Sequence, residues 1–486
     1  MVPETRNGYD EASTNGHAKQ QVPPQATRAI KTAVMTALCL GYFMVILDTT
    51  VVNVALPNIT KQLGATVTEL QWVVDGYSLV FASFLVTAGA LGDRLGSKQV
   101  FIGGLAVFTL ASALCGAAPT LWTLQVARII QGVGAALLVP ASLALLNHSF
   151  PDPMERARAI GIWGGIAGIA AGTGPVLGGF LVNALSWRSV FFLNVPVGLL
   201  GFLLTLRYVA QAPRSSQRGL DLAAQATGII ALGLLAFAFI QAGSWGWTSL
   251  PILGASVGCV LAAGLFLFIE RHTSSPMLPL TLFTSPTFSV ATVVGLLLNF
   301  GFYGQLFFIS LFFQQVRGYS PFVTGLALLP QMGVVALSSA LSGRVTGHLG
   351  PRLPMTIGLL LGGGGFLWMI VVNASTSYLL LCTMLVAIGF GTSFTMPAMT
   401  TAVIGSAPKS YSGIAAAVLN TSRQVGGVLG VALLGSLVSK RSSFVSGMHL
   451  ALSIAGGAFL LGCVLSFFFI QRRQPPKRGE SQEEIE

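Results

Sequence analysis

Fourteen apolar stretches, each long enough to cross a bilayer, run through this 486-residue chain, and that pattern admits one class of fold. Inside a bilayer every backbone polar group must be satisfied within the protein, so stretches of about 20 apolar residues become helices. They fall near 30–56, 70–91, 99–118, 121–146, 157–182, 188–208, 220–241, 250–269, 286–313, 322–343, 352–373, 376–403, 411–438 and 449–470. Mean hydropathy is +0.76. Only 8% of residues are charged, too few to cover soluble domains of this total length. The expected fold is an all-α membrane protein with 14 transmembrane helices.

The net charge of +11 would suit a nucleic-acid partner, but the charges follow the membrane. With the N-terminus in the cytoplasm, nineteen of 26 Lys and Arg fall in the tails and even-numbered turns, among them Arg94, Lys98, Arg156, Arg158, Arg214, Arg218, Arg271, Arg344 and Arg352. Lys61, Arg188, Arg317, Lys440 and Arg441 fall on the other side. The positive-inside bias predicts both termini in the cytoplasm and no nucleic acid as partner. Residues 1–28 read as a polar, disordered tail with no signal-peptide core, and 471–486 as a second cytoplasmic tail.

Three sequence markers recur at nearly one offset. GALGDRLGSK (Gly89 to Lys98) returns as GRVTGHLGPR (Gly343 to Arg352), 254 residues on. QGVGAALLVPA returns as IGFGTSFTMPA, with Gly132, Gly134, Pro140 and Ala141 matching Gly389, Gly391, Pro397 and Ala398 at an offset of 257. GPVLG from Gly174 returns as GGVLG from Gly426, 252 on. Spans 1–6 therefore map onto spans 9–14 as two six-helix pseudo-repeats, a 6+2+6 plan with spans 7 and 8 inserted. The expected organisation is a bundle at 29–210, two inserted spans with linkers at 211–285 and a bundle at 286–470. Such repeats suit a transporter that rocks two rigid bodies about a central site.

Charges inside spans are costly, roughly 2.5 to 3.5 kcal/mol each on insertion scales, and mark function. Span 1 carries Asp48, span 2 Asp75 and span 4 Arg128. At 1.5 Å per residue they lie roughly 15, 7 and 10 Å below the outer surface, so one outer cavity could hold all three. A carboxylate whose proton affinity rises with burial and falls when Arg128 approaches is a proton switch. The alternatives are bracing of helices by Asp48 through Thr49, Thr50 and Asn53, and snorkelling of Asp75 to the interface. Asn420, Arg423 and Gln424 form a second polar cluster in span 13, and spans 9–14 hold no acid. Asn299, Tyr303, Gln305 and Gln314, with Phe394, Met396 and Met399, offer a few polar groups in deformable apolar surroundings and are candidates to line a substrate pocket together with Asp48, Asn53, Asn420 and Arg423. Trp245 and Trp247 have the chemistry of interface anchors.

The five cysteines lie singly in apolar segments and the five histidines in tails and turns. Neither set has metal-ligand spacing, and no nucleophile and base or phosphate-binding GxxxxGK[ST] loop occurs. No metal, no cofactor, no catalytic residue and no direct use of ATP are expected.

LDTTVVNVALPNI in span 1, GALGDRLGSKQVF after span 2, ARIIQGVGAA in span 4 and GTGPVLGGF in span 5 resemble, in order, the signature motifs of the major facilitator superfamily. WRSVFFLNVPVG and QQVRGYSPFVTGLALLP, with fourteen spans, are similar to its fourteen-helix drug/proton antiporters, a likeness covering about residues 30–470. The resemblance implies proton coupling at Asp48 and Arg128, with Asp75 beside them, and a gating latch at Gly89, Asp93, Arg94 and Lys98, although Gly347 stands where the second copy would repeat Asp93. It further implies an antiporter motif at Gly168, Gly174, Pro175, Gly178 and Gly179 on a glycine-rich span that can bend and pack closely. The implied function is proton-coupled antiport exporting amphiphilic, cationic drugs from a monomer in the bacterial cytoplasmic membrane, with substrate, protons and lipid as partners. A dedicated exporter of one metabolite or antibiotic, and a non-transporting membrane sensor, are the rival expectations.

Overall fold

Helix starts are set locally. Thr66, Thr120, Asp152, Asp221, Ser285 and Ser320 each accept, at an N-cap, the backbone N–H three residues on. In a computed structural model describing residues 24–211, 221–273, 278–408, 411–438 and 444–471, these and similar starts open fifteen helices. The first seven are α1 (Pro24–Leu63), α2 (Val67–Leu95), α3 (Ser97–Ala117), α4 (Leu121–Ser149), α5 (Pro153–Ala184), the short α6 (Ser189–Phe192) and α7 (Asn194–Tyr208). Then come α8 (Leu222–Trp245), α9 (Leu250–His272), α10 (Pro286–Leu311), α11 (Pro321–Leu349), α12 (Arg352–Trp368), α13 (Tyr378–Ser406), α14 (Ser412–Leu437) and α15 (Phe444–Phe469). Most of the tail residues, and Arg214, Arg218, Lys440 and Arg441, lie outside the described residues.

Among the described residues, twelve helical segments are long and apolar enough to span a membrane, or thirteen when α2, bent by 53°, is one span. The expected span 13, near 411–438, falls on α14, which is not among them. At 26 residues it is long enough, and its polar run from Asn420 to Gln424 is what lowers its hydropathy.

The sequence markers make matching contacts in both places where they occur. Gly96 (φ 98°) ends α2 and Gly350 (φ 80°) ends α11, each in the left-handed region that glycine tolerates, and their N–H groups close onto the carbonyls of Gly92 and Thr346. Gly174 of α5 lies against Thr50 of α1, as Gly426 of α14 lies against Leu296 of α10. Helix α8 packs on both α2 and α14 through Ala236, Phe239, Ile240, Trp72, Leu79, Val428 and Ala432. At the bend of α2, the Gln225 amide of α8 donates to the Ser83 carbonyl at 2.7 Å and accepts from the Thr87 hydroxyl. A side chain from a neighbouring helix is thus seated at the kink.

The end of the array where α1 begins is the near end; where α1 finishes is the far end. Contacts between the α1–α7 and α10–α15 sets concentrate in the far half. Gln71 of α2 donates to the carbonyls of Val431 and Ala432 on α14 at 2.8 and 2.7 Å, and Gln314 donates to Val54 of α1 at 3.0 Å. Gly179 of α5 meets Pro321 and Phe322 of α11, while Gly325 of α11 meets Pro175. In the near half, a Cβ added at Gly161, Gly164, Gly165 or Gly168 of α5, or at Gly343 or Gly347 of α11, would meet no atom within 4 Å. The array is closed at the far end and parted at the near end.

Gly179→Val would drive a side chain into the Pro321 carbonyl. In a background without the native cysteines, we expect this change to raise the reaction of a cysteine placed at Phe322 with a membrane-impermeant maleimide severalfold. Unchanged labelling would show that the α5–α11 contact does not hold the far end shut.

Candidate functional site

Asp48 sits on α1 and Arg128 on α4, both no more than 1% exposed, and Arg128 Nη1 donates to Asp48 Oδ2 in a buried ion pair. Gln131, three residues after Arg128 and so on the same helix face, donates to Asp48 Oδ1 at 2.9 Å and accepts from Arg128 Nη1 at 2.7 Å. Asn194, at the start of α7, donates to Asp48 Oδ1 at 3.3 Å and to Ser112 Oγ of α3 at 3.0 Å. Arg128 Nε donates to the Val73 carbonyl of α2 at 3.0 Å. The guanidinium also stacks over Tyr77, 4.2 Å from the ring centroid. One carboxylate and one guanidinium thus tie α1, α2, α3, α4 and α7 into a single network in which each charge is matched and hydrogen-bonded.

Asp75 does not join it. It is fully buried on the α2 stripe of Trp72 and Leu79, whose rings and methyls face α8 and α14, and neither of its carboxylate oxygens has a hydrogen-bond partner. The three charges therefore share no open outer cavity here. Asp48 and Arg128 are sealed together, and Asp75 points elsewhere around its helix.

A narrow crevice between the two helix sets is lined by Thr49, Val52, Tyr77, Ser78 and Arg128 on one side and Tyr303, Gln424 and Gly427 on the other. No group of three or more His, Cys, Asp or Glu that could hold a metal ion occurs among the described residues.

The family model of the Major Facilitator Superfamily matches residues 38–431 and 343–485. The chain belongs to the Major Facilitator Superfamily. It is a multi-pass transporter of the cell membrane, not an enzyme. A methylenomycin A resistance protein of Streptomyces coelicolor is 38% identical, the alignment covering 96% of this chain and 98% of that protein. The multidrug resistance protein Stp of Mycobacterium tuberculosis is 39% identical over 86% of this chain and 77% of its own length. A tetracenomycin C resistance and export protein of Streptomyces glaucescens is 32% identical over 98% and 97%. The fold is also that of a crystal structure of a bacterial homolog of the human lysosomal transporter Spinster, in an inward-facing, unoccupied conformation, with a TM-score of 0.63 at 17% identity over 92% of this chain and 99% of that one.

On this superfamily scaffold the other candidate residues separate into two groups. Tyr303, Met396, Asn420 and Arg423 keep exposure toward the space between the helix sets, whereas Asn53, Asn299, Gln305, Phe394 and Met399 are buried. Gln305 is held in a reciprocal amide pair with Gln331, at 2.9 and 3.4 Å, and Gln314 is spent on the far-end closure. Asn53 donates to the Thr49 carbonyl at 3.0 Å, leaving its Oδ1 unpaired. Of the expected gating residues, Lys98 donates to the Leu206 carbonyl of α7 at 3.3 Å, a contact inside one helix set, and Gly89 has open space rather than a close neighbour. In the glycine-rich motif Gly174, Gly178 and Gly179 make close contacts, and Gly168 does not. Gln131 and Asn194, absent from the candidates, stand in the quoted RIIQG and FLNVP motifs. For Gln131 the signal was a polar side chain at helical spacing from a buried charge; Asn194 stands on a helix with no buried charge and gave none.

Removing one partner of a buried ion pair costs about 3–5 kcal/mol, because the other is left uncompensated. Arg128→Leu should therefore lower the melting temperature in detergent more than the double change Asp48→Asn with Arg128→Leu. Strictly additive losses would show that the two charges are not coupled.

Proposed function

We propose that this transporter is a proton-coupled antiporter that exports amphiphilic small molecules by alternating access, with fourteen spans arranged 6+2+6 and both termini in the cytoplasm. The carrying observation is the coexistence of a matched pair, Asp48 and Arg128, with an unmatched carboxylate, Asp75, all sealed while the near end is parted. A carboxylate buried with no partner from the protein is tolerated in its neutral form. Asp75 is accordingly the group that holds the proton while the far end is closed. Opening of the far end would part α2 from α14 and bring water to it, allowing proton exchange. The Asp48–Arg128 network sits one helix away and transmits the movement of α2 through the bond to Val73.

Arg94, Lys98, Arg156, Arg158, Arg207, Arg271, Arg344 and Arg352 all stand at the near end, which supports its placement in the cytoplasm, and the conformation is then inward-facing. The resistance and export functions in the names of the relatives support export as the direction. The driving force is sufficient. One charge crossing 100 mV supplies about 2.3 kcal/mol, against about 1.4 kcal/mol per tenfold ratio, so one electrogenic proton sustains roughly a fiftyfold gradient. A version dedicated to one antibiotic is the second reading, favoured by relatives whose names each carry a single compound.

A preference for cationic substrates needs a carboxylate at the loading cavity. In the inward-facing state Asp48 is neutralised by Arg128 and Asp75 is enclosed, so a cation entering from the cytoplasm meets neither.

The deciding experiment is uptake of fluorescent amphiphiles into inverted vesicles with and without an imposed proton gradient; indifference to the gradient refutes antiport. In that assay Asp75→Asn is expected to cut gradient-driven uptake at least about tenfold while leaving substrate binding within about twofold. Asp93→Asn, about 30 Å from the far end across the bilayer, should lower the maximal rate and leave the half-saturating concentration unchanged.

A further inference from the structure

We propose that the inward-facing cavity is a receptor for organic anions, in which Arg423 binds the carboxylate of an amphiphilic acid and the stacked rings of Tyr42 and Trp163 take its apolar body. The proposal rests on the exporter reading above and names its substrate class.

Two arginines lie inside the spans, and their surroundings differ. Arg128 has a carboxylate, two side-chain amides' worth of support around that carboxylate, a carbonyl and an aromatic face. Arg423 lies eleven residues into α14, roughly 16 Å along the helix from Ser412, in the middle of the bilayer. Its stem crosses Gly295 of α10 beside Met399, so the absent side chain at 295 makes room for it. Its head makes two long contacts, Nη1 to Asn420 Oδ1 at 3.4 Å and Nη2 to Met396 Sδ at 3.5 Å. Nε is buried with no partner. No ion pair to Arg423 occurs among the described residues, and no Asp or Glu exists anywhere between Glu270 and Glu480 to supply one. The two carboxylates deep in the spans of the other helix set, Asp48 and Asp75, are taken up by Arg128 and by enclosure respectively.

A guanidinium does not shed its proton, so it remains charged at this depth with most of its five donors unspent. A cation without a counterion on the wall of a cavity enclosed by apolar spans favours an incoming anion, and the planar fork of donors suits the two oxygens of a carboxylate. Tyr42, seven residues before the crevice-lining Thr49 and so on the same face of α1, lies within electrostatic range of both Arg423 and Tyr303. Tyr42 and Trp163 are stacked at 3.7 Å between centroids with 5° between planes, and Trp163 Nε1 donates to Ser142 at 3.2 Å, which fixes the pair before any ligand arrives. An apolar platform on one wall and an unmatched cation on the other describe a molecule with an apolar body and one negative end. An exporter selects its cargo in the inward-facing state, where this cation is the exposed charge and both carboxylates are not.

The test uses three probes of one skeleton on the purified full-length protein in nanodiscs: dansylglycine, its neutral amide, and the cationic dansylcadaverine, read by equilibrium dialysis and by energy transfer from tryptophan. Dansylglycine is expected to bind at least about tenfold more tightly than the amide, the size of one charge-assisted pair. Arg423→Gln should remove that preference and Arg423→Lys keep part of it, with amide binding equal in all three proteins as proof of an intact fold. Sodium chloride or phosphate at constant ionic strength should compete only weakly; displacement of the probe at low millimolar phosphate would reassign the site to inorganic anions and overturn the proposal. Equal binding of acid and amide, tighter binding of the amine, or a preference that survives Arg423→Gln would also overturn it. Gradient-driven uptake then separates the two readings. Dansylglycine bound through Arg423 yet not concentrated by a proton gradient would sink the exporter and leave the anion site. Equal concentration of amine and acid, unaltered by Arg423→Gln, would do the reverse.

Discussion

A guanidinium sealed away from water inside a membrane, as Arg128 is, needs a counter-charge, and the architecture of the first seven helices answers to that demand. Arg128 could be placed on α4 only if α1 brought Asp48 to it. Once the pair exists, the free lone pairs of the carboxylate and the remaining N–H groups must also be met, which draws in Gln131, Asn194 and Ser112 and so fixes how α3, α4 and α7 stand around α1. The far-end contact between helix sets is built of a different material. It combines side-chain amides bonded to carbonyls, each hydrogen bond worth about 0.5–1.5 kcal/mol net, with glycines lying on backbone and an apolar cluster that runs across both sets. A body held rigid by a buried ion pair, and joined to its neighbour through far-end contacts that contain no ion pair among the described residues, can separate from that neighbour without losing its own shape, which is the mechanical requirement of a two-state transporter.

Much of this was legible in the chain. Spans are one-dimensional signals, and the two copies of the α2–α3 turn could be matched because a glycine with positive φ leaves a fixed mark, as Gly96 and Gly350 do. The Asp48–Arg128 pair was legible because intramembrane charges are rare and must find one another. Asp75 shows the limit. Depth along the helix follows from counting residues, but direction around it depends on which neighbour covers each face, and the position of α8 over α2 is a fact of packing. Buried amides were harder still: Gln305, Gln314 and Asn299 are chemically fit to bind a substrate, and nothing in a single sequence separates them from Gln331 or Gln71, whose donors go to other protein atoms.

The inserted helices also acquire a role from one side chain. Helix α8 does more than widen the perimeter, because Gln225 meets the Ser83 carbonyl and the Thr87 hydroxyl where α2 bends. Helix α8 is therefore no passenger beside the two helix sets. Excising α8 and α9 and splicing α7 to α10 would expose the inner elbow of α2 to hydrocarbon, with a bare carbonyl and hydroxyl that lipid tails cannot solvate. Loss of α8 would thus be tolerated only with a change in the elbow of α2, so the two features are physically tied to one another.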